Sequence, residues 1–182
     1  MAKGHKDKIA VITGAANGLG QAFAKRLAED GVHVACVDIT DASATAKSVE
    51  AAGRKSAAIK CDVGSEESVK AMAAEVIKTF GRADIVINTA GIFPQTNLDT
   101  LDFATWRKII STNLDGTFLV SMAFIPGMKK NGWGRIVSMS SSTLGSVVTG
   151  FVPYMSSKAG IIGFTRAAKN KAVTTLPGHR RR

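Results

Sequence analysis

The residues with the most chemistry in this 182-residue chain are Tyr154 and Lys158. Tyr154 is the only tyrosine, and Lys158 follows it by four positions. On a helix that spacing puts both side chains on one face, with Cβ atoms about 5–6 Å apart. A free phenol loses its proton near pH 10, too high for a base at neutral pH. A neighbouring ammonium favours the phenolate and lowers that value. A phenol tuned in this way can give or take a proton while hydride moves at a carbon beside it. Taken alone the pair is a weak signal, because Tyr-x-x-x-Lys arises by chance in many chains of this length.

A second signal lies near the N-terminus. Thr13-Gly14-Ala15-Ala16-Asn17-Gly18-Leu19-Gly20 follows an apolar run and opens a helical stretch. Glycines let the backbone turn tightly and approach a pyrophosphate, whose charge meets the free N–H groups at the helix start. The alternative is a glycine-rich turn that binds nothing. The position between strand and helix favours a dinucleotide. Asp38 closes the next apolar run, 18 residues after Gly20. Its carboxylate can accept hydrogen bonds from both hydroxyls of an adenosine ribose, and it would repel a 2′-phosphate. No Lys or Arg lies within the glycine loop or directly after Asp38. These residues predict NAD rather than NADP. Asp38 read without a ligand is a solvated strand end or a turn residue before Thr40 and Asp41.

These groups need a frame. Ile9-Ala10-Val11-Ile12, Val34-Ala35-Cys36-Val37, Ile85-Val86-Ile87 and the stretch around Ile136-Val137 are unbroken apolar runs. Such strands suit a parallel sheet covered on both faces. A weaker strand spans 56–63. Helices are expected over 18–30, with Leu19, Phe23 and Leu27 as the buried stripe, and over 41–52. A third begins after Ser65 as N-cap, with Glu66 and Glu67 in its first turn, and ends near Gly81. A long helix over 102–130, bent near Gly116, and a last one over 153–168 complete the pattern. Right-handed crossovers then give an α/β fold, a Rossmann-type doubly wound parallel sheet. One dinucleotide-binding domain over 1–168 would carry the catalytic residues, and 169–182 would form a basic tail.

Composition narrows the function classes. Hydrophobic residues make up 45% and charged residues 21%, a globular balance. The net charge of +10 is mostly terminal, with +2 in residues 1–8 and +5 in 169–182. Basicity of that kind describes tails rather than a nucleic-acid-binding face. No apolar run approaches the ~18 residues that span a bilayer, and residues 1–8 lack the apolar segment of a secretory signal. Cys36 and Cys61 are expected as buried reduced thiols of a cytoplasmic protein. His5, His33 and His179 share no metal-ligand spacing with them.

Over roughly residues 7–168 the chain resembles the short-chain dehydrogenase/reductase family. Thr13-Gly14-x-x-x-Gly18-x-Gly20 is similar to the family's cofactor loop, and Asp62-Val63 to the pair that lies against adenine. Asn88-Thr89-Ala90-Gly91 resembles the Asn-Asn-Ala-Gly motif, with Thr89 for the second Asn. Asn113, in Asn113-Leu114-Asp115-Gly116-Thr117-Phe118, matches the Asn of the long helix. Ser141 stands 13 residues before Tyr154, the family's spacing for its serine. The resemblance implies Tyr154 as general acid/base and Lys158 as the group that tunes it and holds the nicotinamide ribose. Ser141 would hydrogen-bond the substrate oxygen, with Ser140 and Ser142 as alternatives one position away. Asn113 would bind a water relaying protons from Lys158. Gly14, Asn17, Gly18, Leu19, Gly20, Asp38, Ile39, Asp62, Val63, Asn88, Ala90 and Gly91 would contact the cofactor.

The resemblance further implies a secondary alcohol or ketone as substrate and a homodimer or homotetramer formed through 102–130 and 153–168. Ile92, Phe93, Pro94, Leu144, Val147, Val148, Phe151, Val152 and Met155 would face a hydrophobic substrate, or else pack under a loop. The stretch 124–136 looks like that of aryl-alkyl alcohol dehydrogenases, and a 3-oxoacyl-carrier reductase is the second candidate. Family members continue past Ala168 into a sixth strand, a covering helical segment and a seventh strand. Here Lys169 to Arg182 follow instead, with Pro177-Gly178 early. The expectation is therefore a shortened or frame-shifted relative missing the last one or two strands. A non-catalytic nucleotide-binding remnant is the alternative function.

Overall fold

The computed structural model of the chain describes residues 4–168. The basic tail expected over 169–182, with Pro177, Gly178 and His179, lies outside the described residues. Five strands, β1 (Ile9–Thr13), β2 (His33–Asp38), β3 (Ser56–Lys60), β4 (Ile85–Asn88) and β5 (Arg135–Ser138), form one parallel sheet in the order β3-β2-β1-β4-β5. Among the described residues six α-helices connect or flank them: α1 (Gly18–Glu29), α2 (Ser43–Ala51), α3 (Glu66–Phe80), α4 (Phe103–Ile110), α5 (Gly116–Lys130) and α6 (Val152–Ala167). The strand order reverses direction between β1 and β4, and the groove of an open α/β sheet opens at such a switch.

All five residues of β1 are buried. Ala10 and Ile12 pack with Ala24, Ala28, Ala46 and Val49 of α1 and α2. Val11 faces the other way, toward Val69, Met72 and Val76 of α3 and Val120, Phe124 and Met128 of α5. Side chains alternate across a strand, so a run apolar at every position must be covered on both faces.

The structure corrects two details of the expected elements and supplies the form of a third. The buried stripe of α1 is Gly20, Ala24 and Ala28, one residue beyond the expected one. Phe23 and Leu27 flank it half-buried, and Leu19 is 64% exposed. Small side chains let this helix lie close to the sheet, which a Leu/Phe stripe would prevent. β3 ends at Lys60 rather than 63, because Oδ1 of Asp62 accepts the Gly64 N–H at 2.9 Å and turns the chain. Next to Gly116, where a bend was expected, Ser111–Asp115 winds as a π-helical segment between α4 and α5. Gly116 itself is right-handed helix, and a Cβ there would stand 2.8 Å from the Val63 side chain. The residue is small for close packing and not for flexibility.

A further expectation that needs qualifying is membrane length. Phe103–Lys130 taken as one 28-residue helix is long and apolar enough to cross a bilayer. Its Ile109, Val120, Phe124 and Met128 are instead buried in the described structure, as in the core helix of a globular domain. Other predictions hold. Ser65 caps α3, accepting from the Ser68 N–H, and Gly81 ends it in a left-handed conformation. Cys36 and Cys61 are free and buried.

Candidate active site

The glycine loop leaves β1 against the main chain that leaves β4. Gly14 has φ +65°, and a Cβ on it would stand 2.9 Å from the Ala90 nitrogen. A Cβ on Gly20 would overlap the Gly14 carbonyl. Only glycine fits this double approach. Asn17, the N-cap of α1, makes no side-chain cap bond, so its side chain leaves the first-turn N–H groups open. Thr89 Oγ1 donates to the Thr13 carbonyl, and Thr13 Oγ1 accepts from the Ala90 N–H at 3.2 Å. Asp38 at the end of β2 holds the loop as well: its Oδ2 accepts the Ala16 N–H at 2.9 Å, while Oδ1 accepts the Thr40 N–H and hydroxyl. The turn role of Asp38 is thus real, and its carboxylate still borders the groove.

That groove has a volume of about 610 Å³. Of the residues expected to contact the cofactor, Gly14, Asn17, Gly18, Leu19, Gly20, Asp38, Ile39, Asp62, Val63, Ala90 and Gly91 line it. Asn88 does not. It is buried at the end of β4, where Nδ2 donates to Ser121 Oγ at 3.1 Å and Ser138 Oγ at 3.2 Å. Strand alternation turns its side chain into the sheet and gives the wall position to Thr89. Sequence reasoning missed Thr40, Cys61, Thr89, Lys108 and Thr112 on the wall. Lys108 and Thr112 are four apart on one helical face, which is the available signal, but nothing in sequence says what that face meets.

Two of the four residues expected to be catalytic, Asn113 and Lys158, meet beside Gly91. A Cβ on that glycine would stand 3.3 Å from Asn113 Oδ1 and 3.7 Å from Lys158 Nζ. Lys158 is buried, its Nζ donates to the Met139 carbonyl at 2.8 Å, and it lies 5.6 Å from the centre of the Tyr154 ring. Burial pushes the Lys158 ammonium below the ordinary lysine value. The rings of Phe93 and Phe151 pack at 6.1 and 6.2 Å from that of Tyr154. Asn113 is fully buried in the π-helical segment. Its Oδ1 accepts the Ile92 N–H at 2.8 Å, and its Nδ2 donates to the Ile92 carbonyl at 2.9 Å and to Ser157 Oγ at 3.1 Å. The structure thus gives the Asn113 amide a clamping task that the sequence did not suggest.

Ser141 stands at the head of a 3-10 turn, Ser142–Gly145, that packs on α6. Its Oγ accepts from Thr143 N and Oγ1, so its described bonds are local. Ser140 donates to the Lys158 carbonyl at 3.3 Å, which ties it to the helix and separates the two serines by role. The residues expected to face substrate divide. Ile92 and Phe93 line the first groove. Val148, Val152 and Met155 line a second one of about 800 Å³ with Gln95, Thr96, Asn97 and Leu98. Val147 is wholly exposed. Among the described residues no cluster of His, Cys, Asp and Glu could hold a metal ion.

The described geometry agrees with known proteins. The family model for short chain dehydrogenases matches residues 8–175. Nodulation protein G of Azospirillum brasilense is 39% identical over 170 residues, covering 92% of this chain and 69% of that protein. A 3-oxoacyl-acyl-carrier-protein reductase of Staphylococcus aureus is 36% identical, over 88% of this chain and 67% of that one. The crystal structure of carveol dehydrogenase from Mycobacterium avium in complex with NAD superposes with a TM-score of 0.84 at 28% identity, covering 89% of this chain and 64% of that one. The chain belongs to the short-chain dehydrogenase family, whose members bind a nicotinamide cofactor. It spans between 62% and 69% of the length of the first curated relatives it matches.

Proposed function

We propose that this short-chain dehydrogenase is an NAD-dependent oxidoreductase interconverting a secondary alcohol and a ketone, with Tyr154 as general acid/base. The observation that carries the reading is the meeting of Lys158 Nζ and Asn113 Oδ1 at Gly91, on the wall of the glycine-loop groove and one helical turn from the phenol. The groove suits a dinucleotide because it runs past the start of α1, where nothing stands within 4 Å of a Cβ placed on Gly18. Gly14, Asn17, Gly18, Leu19 and Gly20 would hold the pyrophosphate. Asp38 would hold the adenosine ribose, and its charge supports NAD over NADP. Ile39, Asp62 and Val63 would border the adenine, and Ala90 and Gly91 the nicotinamide side. A bound nicotinamide would supply the hydride acceptor or donor.

This chain's own groups handle the proton. In the oxidative direction the Tyr154 oxygen takes the proton of the alcohol as hydride leaves the carbon. The Lys158 ammonium stabilises negative charge on the phenol oxygen in the steps where the proton is away. Ser141 would donate to the substrate oxygen, a bond that strengthens as charge builds there. The Asn113 water relay remains part of this proposal. Phe93, Phe151 and the Leu98, Val148, Val152 and Met155 side chains of the second groove suit a hydrophobic or aromatic substrate. The cytoplasmic setting goes with the buried free thiols Cys36 and Cys61. Exposed Phe103, Phe118 and Met122 on α4 and α5 suit burial in a homodimer or homotetramer.

The test compares wild type with Tyr154→Phe, using NAD and 1-phenylethanol. Turnover should fall about 10²- to 10⁴-fold while NAD affinity stays. Equal inertness of the two proteins, with NAD bound by both, overturns the reading. One observation favours a second reading, nucleotide binding without turnover: among the described residues β5 is one of the two sheet edges, and all four of its residues are half-exposed beside the Ser141 loop.

A further inference from the structure

We propose that Ser157 is a positioning residue, whose hydroxyl couples the Asn113 segment to the helical turn bearing Tyr154 and Lys158. The inference rests on the reading of Tyr154 as the proton carrier. Ser157 lies between the two functional residues and is fully buried. Its hydroxyl donates to the Tyr154 carbonyl at 2.6 Å and accepts from Asn113 Nδ2 at 3.1 Å. The first bond alone is ordinary, because a helical serine often bonds back to a carbonyl three or four residues earlier. The second is not local: it joins α6 to a segment 44 residues away.

The Asn113 amide shows why a hydroxyl is needed there. An asparagine amide has two N–H donors and one carbonyl acceptor. Oδ1 takes the Ile92 N–H, one Nδ2 proton goes to the Ile92 carbonyl, and Ser157 supplies the remaining acceptor. Alanine at 157 would leave that donor buried and unpaired, a cost of the kind that moves structure. The same hydroxyl holds the Tyr154 carbonyl, from which the helical turn to Lys158 begins. The opposite end of that turn is tied by Ser140 to the Lys158 carbonyl and by Lys158 Nζ to the Met139 carbonyl. Ser157 is the dry anchor and Ser140, at an exposed position, the wet one. Through Ser157, the Ile92 loop, the π-helical segment and the Tyr154 turn become one hydrogen-bonded unit. Small displacements of a reacting group cost rate steeply, so such an anchor acts on chemistry more than on binding.

Because Tyr154 is the only tyrosine, [13Cζ]-tyrosine labelling of the whole chain gives one phenol signal. Its pH titration follows Tyr154 whether or not turnover is seen. Ser157→Ala should move the titration midpoint by about half a pH unit or more from wild type, as expected when charge spacing changes. It should lower kcat about tenfold, with KM for NAD within about twofold. Ser157→Thr keeps the hydroxyl and should stay near wild type on both readouts. Ser157→Cys keeps the volume with a weaker acceptor and should fall between, and it serves if the alanine variant does not fold. Folded Ala and Cys variants whose midpoints match wild type overturn the proposal. So does a loss of NAD affinity and melting temperature with no change in midpoint. If wild type itself turns over no alcohol, the oxidoreductase reading fails, while the phenol titration still decides for or against Ser157.

Discussion

Around the glycine loop, positions are set largely by main chain meeting main chain, with the Thr13, Asp38 and Thr89 side chains pinning it. Gly14 lies on Ala90, the Ala15 N–H reaches the Val37 carbonyl at 3.1 Å, and Gly20 lies under Gly14. Across Gly91 the method changes. Asn113, Lys158 and Ser140 place the Tyr154–Lys158 turn through side-chain bonds to backbone on other elements, and Asn113 and Ser157 join side chain to side chain. The first region gives a cradle whose shape a single added methyl spoils. The second gives a set of groups whose chemistry can be removed with little change of shape. Binding and catalysis should therefore come apart under substitution, in opposite ways on the two sides.

The largest expected effect is on the Tyr154–Lys158 side. Lys158→Met removes a buried ammonium and keeps a long apolar stem in its place. Turnover should drop about 10²- to 10⁴-fold, with NAD affinity close to wild type. Burial lowers the Lys158 value, so between that lowered value and 10.5 the unfolded chain binds more protons than the folded one. Stability from this group therefore rises with pH through that window, and at neutral pH the charged form is a cost. Lys158→Met should melt no lower than wild type at pH 7 and should lose the alkaline gain. A fall in melting temperature together with NAD affinity would break the comparison. Next comes the cradle. Gly14→Ala puts a Cβ 2.9 Å from Ala90 N at φ +65°, a strain of about 1–2 kcal/mol from the backbone alone. Calorimetric titration should show NAD binding weakened about tenfold or more. Unaltered affinity would mean that the cradle yields and is not fixed by main chain.

The same contrast explains what could be read in the sequence. Glycines, apolar runs and the Ser65 and Gly81 helix ends act on the local backbone, so the sheet, the loop and the ends of α3 were legible. Tyr154 and Lys158 were legible because one helical turn fixes their spacing. The burial of Ala24 and Ala28 in place of Phe23 and Leu27 was not, since it depends on how near α1 lies to β1. Nor was the inward turn of Asn88, a one-residue matter of strand register that gave Thr89 the wall. The π-helical winding at Ser111–Asp115 has no composition of its own. The bond from Asn113 to Ser157 exists only once α6 lies across that segment, so no spacing announces it.

The smallest effect belongs to the back of the nucleotide half, where β2 begins. His33 Nδ1 accepts the Lys55 N–H at 2.9 Å, and its Nε2 lies 2.9 Å from the Arg54 guanidinium. Both neighbours are donors, so a second ring proton sets N–H against N–H. The Asp7 carboxylate, paired with Arg54, opposes this, and Lys55 and Arg82 add positive charge. Burial first, and then Arg54, hold the His33 value below 6.5. Between that lowered value and 6.5 the unfolded chain binds more protons, so stability falls as pH drops through the window. His33→Gln can still accept from Lys55 but does not titrate. Melting curves from pH 7.5 to 5 should show wild type losing stability faster than the variant, by no more than about 0.5 kcal/mol for so peripheral a site. NAD affinity should follow the same course in both proteins, since the groove lies at the other end of β2. Parallel melting curves would show that Asp7 and Arg54 adjust to the protonated ring. An affinity that fell with His33 protonation would join the back of the sheet to the cradle and undo the separation of binding from its supports.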